Sequence, residues 1–246
     1  MINKLIQDCW ADYQKLQSIP CVLKNAIPIL WFGNRIAYSN SGLKIITVAL
    51  NPSDNEFHER GNTTVKVSLR FPDYKSPLTL EDSYNNYFEK NPYKSWFDSG
   101  FEPILNGMCA SYYHSKGFKN IAIHTDICCP YATNPTWNDL SKTEQDNLLK
   151  DGFPLWENLI DVLDPDVIII SVRKQYVQKL GINKISTLYR FIHDKNGNIR
   201  NSPVEIMQGN YKKAMVVLGQ TRNIPFGSIG KDQKIKLGEQ IIKNLP

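Results

Sequence analysis

Apolar residues recur at helical intervals in some stretches of the chain and run continuously in others, and this alternation predicts an α/β fold. Leu5, Cys9, Trp10, Tyr13 and Leu16 are spaced for one face of a helix over residues 3–17. Pro20 and Pro28 then bracket a less regular approach to Ile29-Leu30-Trp31-Phe32-Gly33. Residues 44–50, 120–125, 167–172 and 214–218 are continuous apolar or β-branched runs, the pattern of strands covered on both faces by helices. Helical sequence separates each from the next, which calls for crossover connections and a parallel sheet.

Between these strands the boundary signals are local. Residues 54–78 carry no clean period. Thr79-Leu80-Glu81-Asp82 reads as a capping-box start for a helix holding Tyr84, Tyr87 and Phe88 and ending at Asn91-Pro92. Pro103-Ile104-Leu105 opens another, with Met108 and Tyr112 at i, i+4 spacing. Ser141-Lys142-Thr143-Glu144 is a second capping box, and Pro154 is expected to split the helical stretch after it in two, the second helix burying Trp156, Leu159, Ile160 and Leu163. Asp164-Pro165-Asp166 stops it. Residues 194–210, rich in Asn and Gly, read as a local hairpin or loop, and a last helix runs from about 232 to 244. With no repeat, low-complexity tract or composition shift, the expectation is a single domain over 1–246 with an N-terminal helical extension to about residue 40.

Composition narrows the class only a little. At 246 residues, 41% hydrophobic and 22% charged, the chain can bury a full core. It lacks an apolar stretch of membrane-spanning length, and its first residues lack the apolar segment of a secretory signal, so a cytoplasmic location is expected. Five cysteines without a C-x-x-C pair argue against a disulfide framework and a structural zinc site, and the four histidines are not spaced as a metal set. A formal charge of +5 permits a polyanionic partner without requiring one.

Candidate chemistry gathers at two strand ends, where open α/β sheets bind ligands. The first delivers Leu50-Asn51-Pro52-Ser53; the second delivers Ile123-His124-Thr125-Asp126-Ile127-Cys128-Cys129-Pro130. Those two runs in order, with Leu163-Asp164-Pro165-Asp166 before a third strand and a polar loop after the fourth, resemble the uracil-DNA glycosylase superfamily over residues 40–245, closest to its mismatch-specific and single-strand-selective branches. The resemblance implies a three-layer α/β/α fold around a four-stranded parallel sheet. It also implies a monomeric, cofactor-free and metal-free enzyme that flips a pyrimidine out of DNA and hydrolyses its N-glycosidic bond.

On that resemblance Asn51 positions the attacking water, and Asp54 or Glu56 would be a stronger base, although both read more simply as solvated loop residues. Asp126 stands where the family usually reads uracil with Asn. A carboxylate accepts only, which suits the exocyclic amine of cytosine and repels the carbonyl of uracil. Ser53 replaces the bulky tyrosine with which the uracil-strict branch walls off the pyrimidine 5-position, so a 5-modified cytosine, such as the hydroxymethylated or glucosylated base of phage DNA, becomes the expected substrate and anti-phage defence the expected role. Phe57, with Phe71 as alternate, is placed to stack on the base. The loop after the fourth strand lacks the family's histidine; Gln220, Thr221 and Arg222, with Lys231, are the expected contacts to leaving base and phosphates. Two alternatives stay open: a uracil or mismatch glycosylase of base-excision repair, and a non-catalytic module that binds modified DNA.

Overall fold

A computed structural model describes residues 1–59, 61–219 and 224–246. The helices are α1 (Ile2–Leu16), α2 (Arg35–Ser39), α3 (Leu80–Asn85), α4 (Lys94–Ser99), α5 (Glu102–Gly107), α6 (Lys142–Leu163), α7 (Lys174–Val177) and α8 (Lys231–Lys243). The strands are β1 (Ile45–Ala49), β2 (Ala110–Ser111), β3 (Asn120–Ile121), β4 (Ile123–Asp126), β5 (Val167–Ser171), β6 (Asn183–His193), β7 (Ile199–Tyr211) and β8 (Ala214–Gly219). They form an α/β fold with a mixed six-stranded sheet. By contacts the chain divides into two compact units, one of residues 1–36, 50–93 and 124–164, the other of 37–49, 94–123 and 165–246. Among the described residues no helix is long and apolar enough to cross a membrane.

The second unit holds five strands of the sheet in the order β1-β5-β8-β7-β6. β1, β5 and β8 are parallel, in register from Ile45↔Val167 to Val48↔Ile170 and from Val167↔Met215 to Ser171↔Gly219. Every residue of β5 is buried, as its unbroken apolar run requires. The expected four-stranded parallel sheet is corrected here. β7 runs antiparallel to β8 from Met207↔Leu218 to Tyr211↔Ala214, and β6 runs antiparallel to β7, so of the two readings of 194–210 the hairpin holds, as a long two-stranded ribbon that begins earlier, at Asn183. Most ribbon residues are exposed, so no buried face imposes an apolar alternation on their sequence.

Three further boundaries depart from expectation. The run 120–125 is two strands: β3 pairs with β2 in a separate small sheet, and the chain then enters β4. Thr79 does not cap α3, because its hydroxyl accepts from the Lys75 and Ser76 amides of the preceding turn, and α3 ends at Asn85. Helix α6 continues through Pro154. Proline removes one hydrogen bond, but the helix buries Leu148, Leu149, Trp156, Leu159, Ile160 and Leu163 and closes its start with the expected Ser141–Glu144 capping box.

In the first unit the N-terminal stretch is woven into the core. Tyr13 Oη donates to Leu23 O at 2.7 Å and accepts from Ala26 N at 2.9 Å. Residues 21–32 then run against 124–134: Phe32 and His124 exchange backbone bonds of 2.8 and 3.0 Å, Ile29 N donates to Pro130 O, Leu23 N to Ala132 O, and Asn134 N to Cys21 O.

In the second unit α5 crosses α8 with almost no side chain between them. A Cβ on Gly238 would stand 2.1 Å from Ile104 O, and one on Gly107 2.0 Å from Ile235 O. Gly238→Ala is therefore expected to force the helices apart and cost about 1–3 kcal/mol, measured as a lower urea midpoint with an unchanged slope.

Candidate functional site

Alternation along β4 sorts its side chains. Thr125 points one way and accepts from Trp156 Nε1 on α6 at 3.1 Å, so His124 and Asp126 share the opposite side. All three are buried. His124 Nε2 stands 3.5 Å from Asp126 Oδ1, but that oxygen has no hydrogen-bond partner among the described residues. His124 thus has a carboxylate neighbour on the same side of the strand.

The two expected strand ends adjoin. Cys128 N donates to Leu50 O at 2.8 Å, and Ser53 forms a bridge with Thr133. Asn51 Nδ2 lies 3.0 Å from Tyr131 O, 3.1 Å from Pro52 O and 3.2 Å from Thr133 Oγ1. Two of these partners are carbonyls, which only accept, so the amide orientation is fixed and Oδ1 is the face left to a ligand or water. Ser53 N-caps the short 3-10 turn Asp54–Glu56: its Oγ accepts from Asn55 N at 3.1 Å and Asn55 Nδ2 at 3.0 Å.

That turn inserts Glu56 into the core, and the reading of Glu56 as a solvated loop residue is corrected. It is 4% exposed, and Oε2 accepts from Tyr87 Oη at 2.6 Å. Tyr87 Oη in turn accepts from Tyr93 N at 2.9 Å. Burial pushes the Glu56 carboxyl up to about 7; the Tyr87 hydroxyl and the Arg70 charge oppose this, and the Asp126 charge adds to it. Asp126 and Arg70 thus both lie within electrostatic reach of Glu56.

Two more buried nitrogens near this turn lack partners among the described residues, His58 Nε2 and Arg70 Nε. His58 Nδ1 is 3.9 Å from Asp54 Oδ2, and Arg70 Nη1 donates to Asn91 O at 3.0 Å. Together with Asp126 Oδ1, the unit buries one acceptor and two nitrogens that no described residue satisfies. Such atoms are uncommon in folded proteins and mark places where a ligand or water completes the bonding.

Phe57 has no exposed surface; it stacks on Phe71 with ring centroids 5.9 Å apart, and Tyr87 closes on Phe71 at 5.3 Å and on Phe32 at 4.7 Å. Both expected platform residues are thus core in this conformation. Lys231 opens α8 in the second unit with its side chain exposed. Gln220, Thr221 and Arg222 lie outside the described residues.

Sequence reasoning passed over Tyr87, Arg70, His58, Tyr131 and Thr133. The run Ile127 to Thr133, too long and too apolar for a solvent loop, is the signal that its backbone would be buried and in contact with Asn51. No protein-family model matches the chain, and no curated protein matches it in sequence.

A raised carboxyl gives a pH test with a definite sign. The folded protein holds the Glu56 proton up to about pH 7, whereas the unfolded chain releases it near the ordinary 4.5. The native state therefore binds more protons between those values, and this group's contribution to stability is present below pH 4.5 and lost as pH rises through 7. Glu56→Gln removes the titration, so the stability of the variant relative to the wild type should rise by about 3 kcal/mol between pH 4.5 and pH 8, followed by urea denaturation across that range.

Proposed function

We propose that the protein is a DNA glycosylase that hydrolyses the N-glycosidic bond of a flipped, 5-modified cytosine. The observation that carries this reading is the pinned amide of Asn51 at one strand end beside a neighbouring strand end that buries an Asp126 oxygen with no partner among the described residues. Asn51 Oδ1 accepts a hydrogen bond from the attacking water. Asp126 Oδ1 accepts from the exocyclic amine of the base. The C1′–N1 bond breaks with its electrons passing to the base, the water oxygen bonds to C1′, and the proton the water sheds neutralises the departing base, leaving a free base and an abasic site. A buried carboxyl that accepts rejects a carbonyl edge strongly, because binding uracil would leave two acceptors facing each other.

Glu56 adds a second carboxyl within electrostatic reach of Asp126 and near half-protonation at neutral pH. Unequal environments around paired carboxyls are a recurrent way of dividing acid and base roles. The reading calls for no metal or organic cofactor, takes DNA as partner and a monomer as working unit. On it the fold is a variant of the three-layer superfamily architecture in which an antiparallel ribbon extends the parallel strands. Ser53 keeps its place as the small residue beside the pyrimidine 5-position, and anti-phage defence remains the proposed role.

The decisive assay incubates the protein with oligonucleotides carrying uracil, cytosine, 5-hydroxymethylcytosine or its glucosylated form and counts alkali-labile abasic sites. Release is expected from modified cytosine, and Asn51→Ala should lower it at least about a hundredfold while DNA binding survives. Asp126→Asn should move preference toward uracil. Release of uracil alone by the wild type sinks the cytosine assignment, and binding without any release leaves a DNA-binding module.

A further inference from the structure

The second unit carries a surface that this chemistry does not use. Residues 173–213 hold nine lysines and arginines against two acidic residues, a surplus of seven in a chain whose formal total is +5, so the remainder of the chain is net acidic. The β6–β7 ribbon forms most of this segment. It also displays Ile185, Ile192 and Ile199, which are 55%, 52% and 81% exposed.

At the base of the ribbon, a cavity of about 490 Å³ is lined by Lys184, Lys212, Lys213, Ser186, Gln208 and Asn210 among others. Gln208 Nε2 donates to Ser186 Oγ at 3.3 Å, while its Oε1 is buried without a partner among the described residues. Near the tip, Asp194 accepts from the Asn196 and Asn198 amides and shapes the turn, and Lys195 packs against Gly230, immediately before Lys231. The ribbon is fastened as well as exposed: Arg200 donates to His193 O and Ser228 O, each at 2.8 Å, and Gln233 Nε2 donates to His193 O at 2.9 Å.

We propose that the β6–β7 ribbon is a DNA-binding arm that lies in the major groove, with Lys184, Lys212 and Lys213 at its base and Lys195 and Lys231 near its tip taking backbone phosphates. A two-stranded ribbon is one of the two elements that the major groove admits. Lysines near phosphates release counterions and supply affinity without sequence preference. Isolated isoleucines among polar neighbours suit contacts to thymine methyls rather than a lipid surface, which takes a contiguous apolar face. The choice of DNA as the polyanion rests on the proposed function; the surface itself does not depend on Asn51 or Asp126.

The test measures binding to an unmodified duplex by fluorescence anisotropy across a salt series. Lys184→Gln/Lys212→Gln/Lys213→Gln removes three charges and keeps three polar stems. It should weaken binding at least about tenfold at about 0.1 M salt and flatten the slope of log affinity against log salt by about two to three. Lys4→Gln/Lys15→Gln/Lys142→Gln removes the same charge from exposed helix positions in the first unit and should leave both quantities within about twofold. An unchanged slope in the ribbon variant, equal losses in both variants, or wild-type binding to phosphatidylserine vesicles with none to duplex overturns the arm. Because this duplex carries no modified base, ribbon-dependent binding without base release anywhere overturns the glycosylase reading alone, and base release with an unchanged slope overturns the arm alone.

Discussion

The first unit depends on how residues 124–134 are held on both sides. One flank is taken by residues 21–32 through bonds at Phe32–His124, Ile29–Pro130, Leu23–Ala132 and Cys21–Asn134, and the other by the 50–53 turn through Leu50–Cys128 and Asn51. This is irregular backbone under the surface, and its polar groups must find partners inside the protein. Asn51 meets that demand by giving its amide nitrogen to Tyr131 and Thr133, which fixes the orientation of its side-chain amide. Helix α6 presses in as well: a Cβ on Gly152 would stand 2.1 Å from Cys128 O, so the segment has little room to relax.

Such a clamp makes buried, unpartnered polar atoms tolerable. An unsatisfied donor or acceptor costs about 1–3 kcal/mol, and among the described residues Asp126 Oδ1, His58 Nε2 and Arg70 Nε have no partner. The neighbouring aromatic cluster of Phe32, Phe57, Phe71 and Tyr87 offsets the cost: each fully buried ring contributes roughly 1.5–3 kcal/mol. Its rings also exclude water from the Glu56 carboxyl, which is why that group stays protonated so far above its ordinary range. Packing that stabilises the unit and desolvation that readies its acids are one arrangement.

Legibility in the sequence depends on where burial leaves a trace. β5 and β8 are buried throughout most of their length, so their apolar runs announce them, and the Asn51 and Asp126 strand ends are legible because polar residues succeed such runs abruptly. The Ser141 cap is legible because its hydrogen bonds are local. The ribbon leaves no comparable trace, since its faces are largely exposed and its pairing is set by the antiparallel edge of β8. Glu56 is the sharpest failure. A lone Glu in a polar loop is ordinarily solvated, and only Tyr87, 31 positions away in sequence, and the rings packed around it reverse that expectation. Pro154 misleads for a related reason: the tertiary face of α6 outweighs one missing hydrogen bond.

Electrostatics also separates the tasks the proposed enzyme must perform. On the proposed reading the base meets the Asp126 carboxylate and a half-protonated Glu56, and negative charge there repels the phosphates that flank any nucleotide in DNA. Such a pocket can choose among bases, but it cannot hold a polyanion. Affinity must then come from a surface that carries no information about the base, and a basic ribbon meets that description, because phosphate contacts position while base contacts specify. The excess of positive charge at 173–213, set against a net acidic remainder, is what this division of labour requires. A formal total of +5 averages the two and conceals both.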